Sequence, residues 1–331
     1  MVSKNHKKIL TKRAYFIPVL GIFSGIFISL VYLNNFRNFK TNQNFNSFTI
    51  RNLSQKETND NTVTLVAVGD VMLGRKVNQQ SISKNNFKWA FEKTADFLGS
   101  ADITLINLEG TLIANCPTTQ TGFYFCGDTR HIEGLKFAGV DIANLANNHA
   151  YNFGAKGIEE TIKLLKDNNI SPLGVSGTVY KDINGARFAF LGYNDITLHE
   201  PIISWADNKS IESEVKQAAR KSDILVVTFH WGIEYSDKPS LRQIELAHLA
   251  IDSGADLIIG HHPHWIQTTE NYKDKLIVYS LGNFIFDQMW SQKTREGLIG
   301  KFVFEDQKIT NYELIPILIE DFGQPRLSED K

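Results

Sequence analysis

Short apolar runs rich in valine and isoleucine alternate with amphipathic stretches over most of the chain. Apolar runs of this length are typical of buried strands, and apolar residues that recur every three to four positions are typical of helices. The predicted strands are Val63–Val68, Ile103–Asn107, Ile142–Leu145, Ala186–Gly192, Ile224–Phe229, Leu257–Ile259 and Leu276–Ser280. The predicted helices are Phe87–Leu98, His131–Ala138, Ala155–Asp167, Ile211–Lys221 and Leu241–Ser253. This alternation predicts an α/β fold.

The N-terminal part contains one long apolar stretch, Ala14–Leu33, which has no charged residue. As a helix it would span roughly 30 Å, which is the thickness of the hydrocarbon layer of a bilayer. Basic residues and no acidic residue precede it, whereas only Arg37 and Lys40 follow closely. The positive-inside rule therefore predicts an N-terminus in the cytoplasm and a domain outside the membrane. A cleaved signal peptide is the alternative, although no A-x-A-like site follows the stretch.

These features divide the chain into four predicted segments. They are a basic cytoplasmic segment (1–13), a single-pass transmembrane anchor (14–33), a polar linker (34–61) and a folded extracytoplasmic domain (62–331). Nine of the 35 Lys and Arg residues lie in the first sixty positions, but only two of the 36 Asp and Glu residues do, so the folded part is acidic. An acidic domain lacks the basic surface that binds nucleic-acid phosphates. We therefore predict a protein of the cell membrane that does not bind nucleic acid.

Polar residues stand directly after many of the predicted strands. The clusters are Gly69-Asp70, Asn107-Leu108-Glu109-Gly110, Asn147-Asn148-His149, His230-Trp231-Gly232 and Gly260-His261-His262-Pro263-His264. Because ligands gather at the carboxyl ends of strands in α/β folds, we expect these clusters to meet in space. Carboxylate, amide and imidazole groups together suit Mn, Zn or Fe better than Ca. Two such ions that share a carboxylate would lie roughly 4 Å apart and promote hydrolysis.

The pair His262 and His264 is the strongest single element of this pattern. Alternate side chains of an extended segment point to the same side, so both imidazoles are predicted to face one site. His261 is then predicted to face away and to have a packing or supporting role. Each other cluster alone is a weaker signal, because a Gly-Asp pair often marks a turn and a buried His is often only hydrogen-bonded.

The order of these residues along the chain resembles that of the calcineurin-like metallophosphoesterases. The particular motifs resemble the CapA family of poly-gamma-glutamate capsule biosynthesis proteins, in the same order over about residues 62–290. They are GDVMLGR (69–75), NLEG (107–110), LANNHAYNFG (145–154), FHWGIEY (229–235), GHHPHWIQ (260–267) and YSLGNFIFDQ (279–288). The resemblance implies a metallophosphoesterase-like four-layer α/β/β/α sandwich.

The resemblance also implies two metal sites, with two departures from the general phosphoesterase pattern. The first motif is usually Asp-x-His, but Met72 stands where that imidazole is expected. The second motif usually supplies a bridging Asp, and Glu109 takes its place. One implied site keeps Glu109, Asn148, His230 and His262, and the other keeps Asp70, Glu109 and His264. The second set lacks a ligand, so we expect one divalent ion to bind tightly and a second to bind weakly.

Further residues receive roles with simple alternatives. His149 is placed by the resemblance to protonate a leaving group, and its alternative role is a supporting hydrogen bond. The candidates for substrate binding are Arg75, Glu234, Asn283 and Asp287. Arg75 and Glu234 are also explained as solvent-exposed surface charges. Gly282-Asn283 is by itself typical of a turn. Cys116 and Cys126 are predicted to form a disulfide in an oxidising compartment, with two free thiols as the alternative.

Two functions remain open from the sequence. The resemblance implies a role in the synthesis or export of poly-gamma-glutamate or a similar anionic polymer, beside other membrane subunits of a capsule machine. The alternative is a stand-alone metal-dependent hydrolase, or phosphoesterase, of cell-envelope substrates. Catalytic activity does not follow from the motifs alone, since one implied metal site lacks a ligand. The strand-like runs Leu298–Phe304 and Tyr312–Ile319 are assigned no site.

Overall fold

The computed structural model describes residues 62–118, 121–175, 177–196 and 200–328. The predicted anchor (14–33) and linker (34–61) lie outside these residues. None of the helices in the described part of the chain is long and apolar enough to cross a bilayer.

Sixteen strands are found in the described residues, and their bounds are as follows. They are β1 (Val63–Val71), β2 (Ile103–Leu108), β3 (Thr111–Ile113), β4 (Cys126–Asp128), β5 (Ile142–Asn144), β6 (Ser171–Leu173), β7 (Val179–Ile183), β8 (Ala186–Asn194), β9 (Ile224–His230), β10 (Leu257–His261), β11 (Thr269–Tyr272), β12 (Lys275–Val278), β13 (Asn283–Ile285), β14 (Glu296–Glu305), β15 (Lys308–Glu320) and β16 (Gln324–Leu327).

The strands form two large sheets and one small pair. The first sheet has the order β16-β15-β14-β1-β2-β5-β6, with β13 paired to the end of β1. The second has the order β11-β12-β10-β9-β8-β7, and β3 pairs with β4. Strands β1, β2, β5 and β6 run parallel, as do β8, β9, β10 and β12, so their carboxyl ends lie at one edge of each sheet.

Seven α-helices connect these strands in the described residues. They are α1 (Arg75–Ser83), α2 (Ala95–Leu98), α3 (Ile132–Phe137), α4 (Gly154–Asp167), α5 (Asn208–Ala219), α6 (Leu241–Ser253) and α7 (Gln292–Arg295). The start of α6 has a capping box in which Ser240 and Gln243 each satisfy a backbone N–H of the other. Gly254 ends α6 in the left-handed conformation, with a φ of 118°.

Three apolar clusters hold the layers together. The middle cluster lies between the two sheets, where the ring of Phe304 from β14 meets that of Phe188 from β8 at 5.2 Å. A second cluster packs the first sheet against α1–α4, and a third packs the second sheet against α5 and α6. The layers therefore follow the order helix, sheet, sheet, helix. The mixed α/β fold expected from the apolar pattern is confirmed.

Two helical elements differ from the sequence prediction, and several short strands, such as β3 and β4, were not predicted. Phe87–Leu98, predicted as one helix, is a short 3-10 helix at Trp89–Phe91 followed by α2. Thr94 separates them because its hydroxyl bonds to the carbonyl of Phe91 and its backbone is not helical. Helix α1 was not predicted, because its buried face includes the polar residues Asn78 and Ser81 and so lacks an apolar periodicity.

Candidate metal centre

The carboxyl ends of the parallel strands bring three predicted ligands together. Asp70 is the last residue but one of β1, Glu109 follows β2 and His264 follows β10. One potential ligand atom from each lies within 4.8 Å of the other two. All three side chains are buried. The meeting of polar clusters that the strand pattern predicts is therefore present for these three residues.

The remaining predicted ligands lie beside this group. His230 Nε2 is 2.8 Å from the side-chain oxygen of Asn148. The ring of His262 is centred 4.8 Å from that of His230 and 5.9 Å from that of His264. His149, next to Asn148, has its Nε2 3.7 Å from Glu109 Oε1. The structure thus gathers all six predicted ligands at one edge of the two sheets.

The backbone of the histidine segment is not extended as the sequence pattern suggested. Strand β10 ends at His261, and His262 and His264 have positive φ angles of 97° and 57°. Both imidazoles reach the centre through this turn rather than through strand alternation. The prediction that His261 faces away is wrong, since its Nδ1 lies 3.5 Å from Asp70 Oδ1. Alternation does not apply where the chain leaves the sheet.

The charges of the centre favour a bound cation. Both oxygens of Glu109 are buried without a hydrogen-bond partner among the described residues, and burial raises its pKa to about 8. Burial would raise the pKa of Asp70 as well, but interactions with His261 and His264 hold it well below its usual value. Burial would lower the pKa of His264, yet the Glu109 and Asp70 carboxylates raise it to about 9. A bound divalent ion would balance the negative charge of the Asp70 and Glu109 carboxylates. Without an ion, protons on Glu109 and His264 balance that charge.

The other two imidazoles suit metal binding for a different reason. Burial lowers the pKa of His262 to about 3 and holds that of His230 well below its usual value. Both rings are therefore neutral at physiological pH, and a neutral imidazole has the lone pair that a metal requires. With two carboxylates and an amide oxygen nearby, these donors fit a divalent ion such as Mn, Zn or Fe.

Met72 does not contribute to this group. Its side chain is fully buried in the apolar cluster under the first sheet. The sulfur accepts a hydrogen bond from the backbone N–H of Gly74 at 3.0 Å. Packing and this bond hold the thioether in the core.

His149 is held by two residues that the sequence did not indicate. Its ring stacks on Phe125 with a centroid distance of 3.9 Å, and its Nδ1 lies 2.9 Å from the side-chain oxygen of Asn152. The same oxygen accepts the backbone N–H of Phe125. Burial lowers the pKa of His149 to about 4, so the ring is neutral. Cys126, next to Phe125, forms a disulfide with Cys116.

Three of the candidate substrate-binding residues, Arg75, Asp287 and Asn283, form contacts with other residues of the chain. Arg75 forms a short, nearly buried ion pair with Asp287 and donates a hydrogen bond to the carbonyl of Gly122 at 3.1 Å. Its guanidinium lies over the ring of Phe125. Asn283 is buried, and its side-chain oxygen lies 2.9 Å from His264 Nδ1. These contacts orient neighbouring groups, and a role in substrate binding stays a prediction.

Asn107 is a central residue of the site, and the sequence analysis placed it in a polar cluster without giving it a role. Its amide donates to Asp70 Oδ1 at 2.8 Å and lies 3.3 Å from His230 Nδ1. Its oxygen accepts from the amides of Asn144 and Asn147. The available signal was an asparagine inside the mainly apolar strand β2, because a buried polar residue needs partners.

Aromatic residues surround the opening of the centre. Tyr235 lies with its ring 6.2 Å from that of His264, and Trp290 packs edge-on against Tyr235. Trp290, Phe123 and Tyr124 are exposed. Glu234 is exposed as well, and its carboxylate lies within 4.8 Å of ring nitrogens of His262 and His264.

Comparison with known families decides the relationship of this chain. The profile of the family described as bacterial capsule synthesis protein PGA_cap matches residues 64–288, more than half of the chain. The chain belongs to this family. The matched PGA_cap region contains all six predicted ligands, and the resemblance to CapA proteins is confirmed.

Relatives of this chain include two proteins named for capsule or PGA biosynthesis. The capsule biosynthesis protein CapA of Bacillus anthracis is 31% identical, over 82% of this chain and 71% of that protein. The PGA biosynthesis protein CapA of Bacillus subtilis strain 168 is 29% identical, over 83% of this chain and 76% of that protein.

Solved structures show the same fold at low identity. A structure described as a novel phosphatase from Mycoplasma pneumoniae has a TM-score of 0.52 and 17% identity, and covers 79% of this chain and 95% of its own. A hypothetical protein from Thermus thermophilus has a TM-score of 0.51 and 14% identity, and covers 76% of this chain and 98% of its own. The fold of this chain is therefore similar to that of these two structures.

Proposed function

We propose that this PGA_cap protein binds divalent metal at the centre formed by the six predicted ligands and uses it in the synthesis or export of an anionic polymer of the poly-gamma-glutamate type. The observation that carries the proposal is Glu109. Its carboxylate is buried and neither oxygen has a hydrogen-bond partner among the described residues, since the nearest nitrogens of His149 and His264 lie 3.7 and 3.8 Å away. Such burial is costly unless a cation is bound there. The chain's relatives are named for capsule and PGA biosynthesis.

The proposed ligands divide into two sites of unequal strength. Glu109, Asn148, His230 and His262 would hold the tighter ion, and Asp70, Glu109 and His264 the weaker one. A bound divalent ion of this kind polarises a phosphoryl or acyl oxygen and activates water near neutral pH. The Asn152 oxygen accepts from Nδ1, so the neutral His149 ring carries its lone pair at Nε2. His149 would take up a proton at Nε2 before giving it to a leaving group. The stacked Phe125 ring excludes water from one face of His149.

A polymer of glutamate offers repeated carboxylates, which a metal centre binds much as it binds phosphate oxygens. The acidic balance of the folded part would otherwise repel such a chain. We propose that the segment 14–33 anchors the domain at the outer face of the membrane, beside the subunits that make or export the polymer. Attachment there would keep the metal centre close to the emerging polymer.

A second candidate is a stand-alone metal-dependent hydrolase of cell-envelope substrates. The observation that favours it is the position of His149, whose Nε2 lies 3.7 Å from Glu109 Oε1 beside the centre. Incubation of the purified protein with poly-gamma-glutamate separates the two functions. Binding without a change in polymer length supports the assembly role, whereas metal-dependent shortening supports hydrolysis.

Metal content is the first test. The full chain is purified in detergent from the membrane fraction, and its metals are counted by elemental mass spectrometry. We expect about one tightly bound divalent ion per chain, and its loss in His262→Ala, because a neutral imidazole ligand is removed. Sedimentation with membranes and release by detergent are expected from the proposed anchor.

The matched control is His248→Ala, which removes an imidazole of helix α6. His248 stacks on Tyr272 and contacts Glu270, and neither of these residues is a proposed metal ligand. This variant should keep the metal. Absence of metal from the wild-type protein after growth in supplemented medium contradicts the metal proposal and leaves the family assignment intact.

A further inference from the structure

Glu234 is carried to the metal centre by a tight loop after β9. The loop contains two left-handed residues, Gly232 with a φ of 89° and Tyr235 with a φ of 60°. The backbone N–H of Tyr235 donates to the carbonyl of Pro263 at 2.8 Å. This bond fastens the loop to the turn that carries His262 and His264, so the position of Glu234 relative to these imidazoles is set by the backbone.

The side chains of this loop and turn form a second group of potential ligands. A carboxylate oxygen of Glu234 and ring nitrogens of His262 and His264 all lie within 4.8 Å of one another. His262 Nδ1 is buried without a hydrogen-bond partner among the described residues. Glu234 is exposed, whereas Asp70 and Glu109 are buried, so Glu234 approaches the centre from the solvent side.

The weaker site, formed by Asp70, Glu109 and His264, needs a further ligand. Asp70, Glu109 and His264 offer three side chains, fewer than the four or more donors that Zn, Mn or Fe ions usually take from protein and water. Met72 adds none, because its sulfur is buried and accepts from Gly74. Glu234 shares His264 with this set and has His262 within the same 4.8 Å.

We infer that Glu234 is a metal ligand that completes the weaker site and takes over the place of the imidazole missing at position 72. This inference rests on the proposed function, since it requires that the centre bind metal. The Glu234 carboxylate also changes the metal preference of the weaker site. Three carboxylates around one imidazole favour harder ions, so the completed site should select Mn²⁺ over Zn²⁺ more strongly than a His-rich site does.

The test uses the full chain in detergent, stripped of metal with a chelator and titrated with Mn²⁺, with free Mn²⁺ followed by electron paramagnetic resonance. Wild type should show a tight and a weak class of site. Glu234→Gln should keep the tight class and raise the Kd of the weak class at least about tenfold. The conservative variant Glu234→Asp should restore part of the affinity. A parallel titration with Zn²⁺ should show a smaller change in Glu234→Gln.

The matched control is Asp237→Asn, which removes an exposed carboxylate from the same loop, where Asp237 pairs with Lys293. It should leave both classes unchanged. An unchanged weak Kd in Glu234→Gln, or an equal increase in Asp237→Asn, overturns the role of Glu234. If wild type binds no Mn²⁺ or Zn²⁺ at all, the proposed metal function fails instead. Thermal unfolding of each metal-free variant verifies that the fold is retained.

Discussion

The ion pair between Arg75 and Asp287 is nearly buried, with 10% and 5% of the two side chains exposed. Arg75 is also held by the carbonyl of Gly122 and the face of Phe125. Loss of one partner from such a pair leaves the other charge buried and unpaired. A single side chain therefore controls how the loop around Gly122 packs beside the metal centre.

We predict that Asp287→Ala lowers the free energy of unfolding by about 3 kcal/mol, because it strands the Arg75 guanidinium in a buried position. Urea denaturation followed by circular dichroism measures this change. The control Asp167→Ala removes an exposed partner of Lys163 and should cost at most about 0.5 kcal/mol. Equal, small effects of both variants would show that the Arg75 pair is effectively solvated.

Among the individual site residues, the sequence identified those that directly follow an apolar strand. Asp70 and His230 are examples, because a polar residue after a buried run is a local signal. Asn107 was given no individual role and the direction of His261 was misjudged, since both depend on neighbours from other strands. Asn107 bonds to Asp70, 37 positions earlier, and His261 faces the same carboxylate.

At the level of elements, the loop closed by the disulfide supports His149, the residue predicted to protonate a leaving group. Cys116 and Cys126 close a loop with a sequence separation of 10. Phe125, the residue before Cys126, stacks on His149 and donates its backbone N–H to Asn152. The covalent link thus stabilises strand β4 and the residue that packs on the imidazole.

We predict that the double variant Cys116→Ser, Cys126→Ser lowers the free energy of unfolding by about 2 to 3 kcal/mol, because the loop gains conformational freedom in the unfolded chain. Denaturation curves with and without reductant measure this. Reductant should destabilise the wild type by a similar amount and leave the double variant unchanged. A reductant effect on the double variant would point to another cause.

The helices show why element prediction succeeded unevenly. Helix α6 was predicted with the same bounds that the structure shows, Leu241–Ser253, and a capping box and Gly254 define its ends locally. The predicted helix at 87–98 was interrupted, and α1 was overlooked. In α1 the buried Asn78 bonds to the backbone of Asp128 and lies against His131, so partners distant in sequence stabilise that face.

On the scale of the whole molecule, the position of the site depends on two sheets that pack face to face. Asp70 and Glu109 come from the first sheet, whereas His230 and His262 belong to the strand ends of the second. The apolar cluster between the sheets therefore holds the two halves of the centre in register. Aromatic residues of β14 and β8 form part of this cluster.

We predict that Phe302→Ala lowers the free energy of unfolding by about 3 to 5 kcal/mol, because it opens a cavity between the sheets where Phe302 is fully buried. Chemical denaturation measures the loss. The control is Tyr312→Ala on β15, directly opposite Phe302 in the strand register but 45% exposed, and it should cost much less. Comparable losses in both would indicate that the cavity is not the cause.

The sequence by itself determined the α/β class, most of the long buried strands and the clusters of ligand-type residues at strand ends. Short stretches of sequence determine these features, because hydrophobic periodicity and capping depend on residues a few positions apart. The CapA-type motifs are local in the same sense, and they predicted a family relationship that the comparisons confirmed.

Only the tertiary structure decided which of these groups meet and which way they point. Arg75 pairs with Asp287 across 212 positions, and His264 lies against Asp70, Glu109 and Asn283. The left-handed turn at His262 and the burial of Met72 follow from packing between layers, which no local pattern encodes. Contacts between distant residues depend on the whole folded chain, and for that reason the approach of Glu234 to the metal centre became visible only in three dimensions.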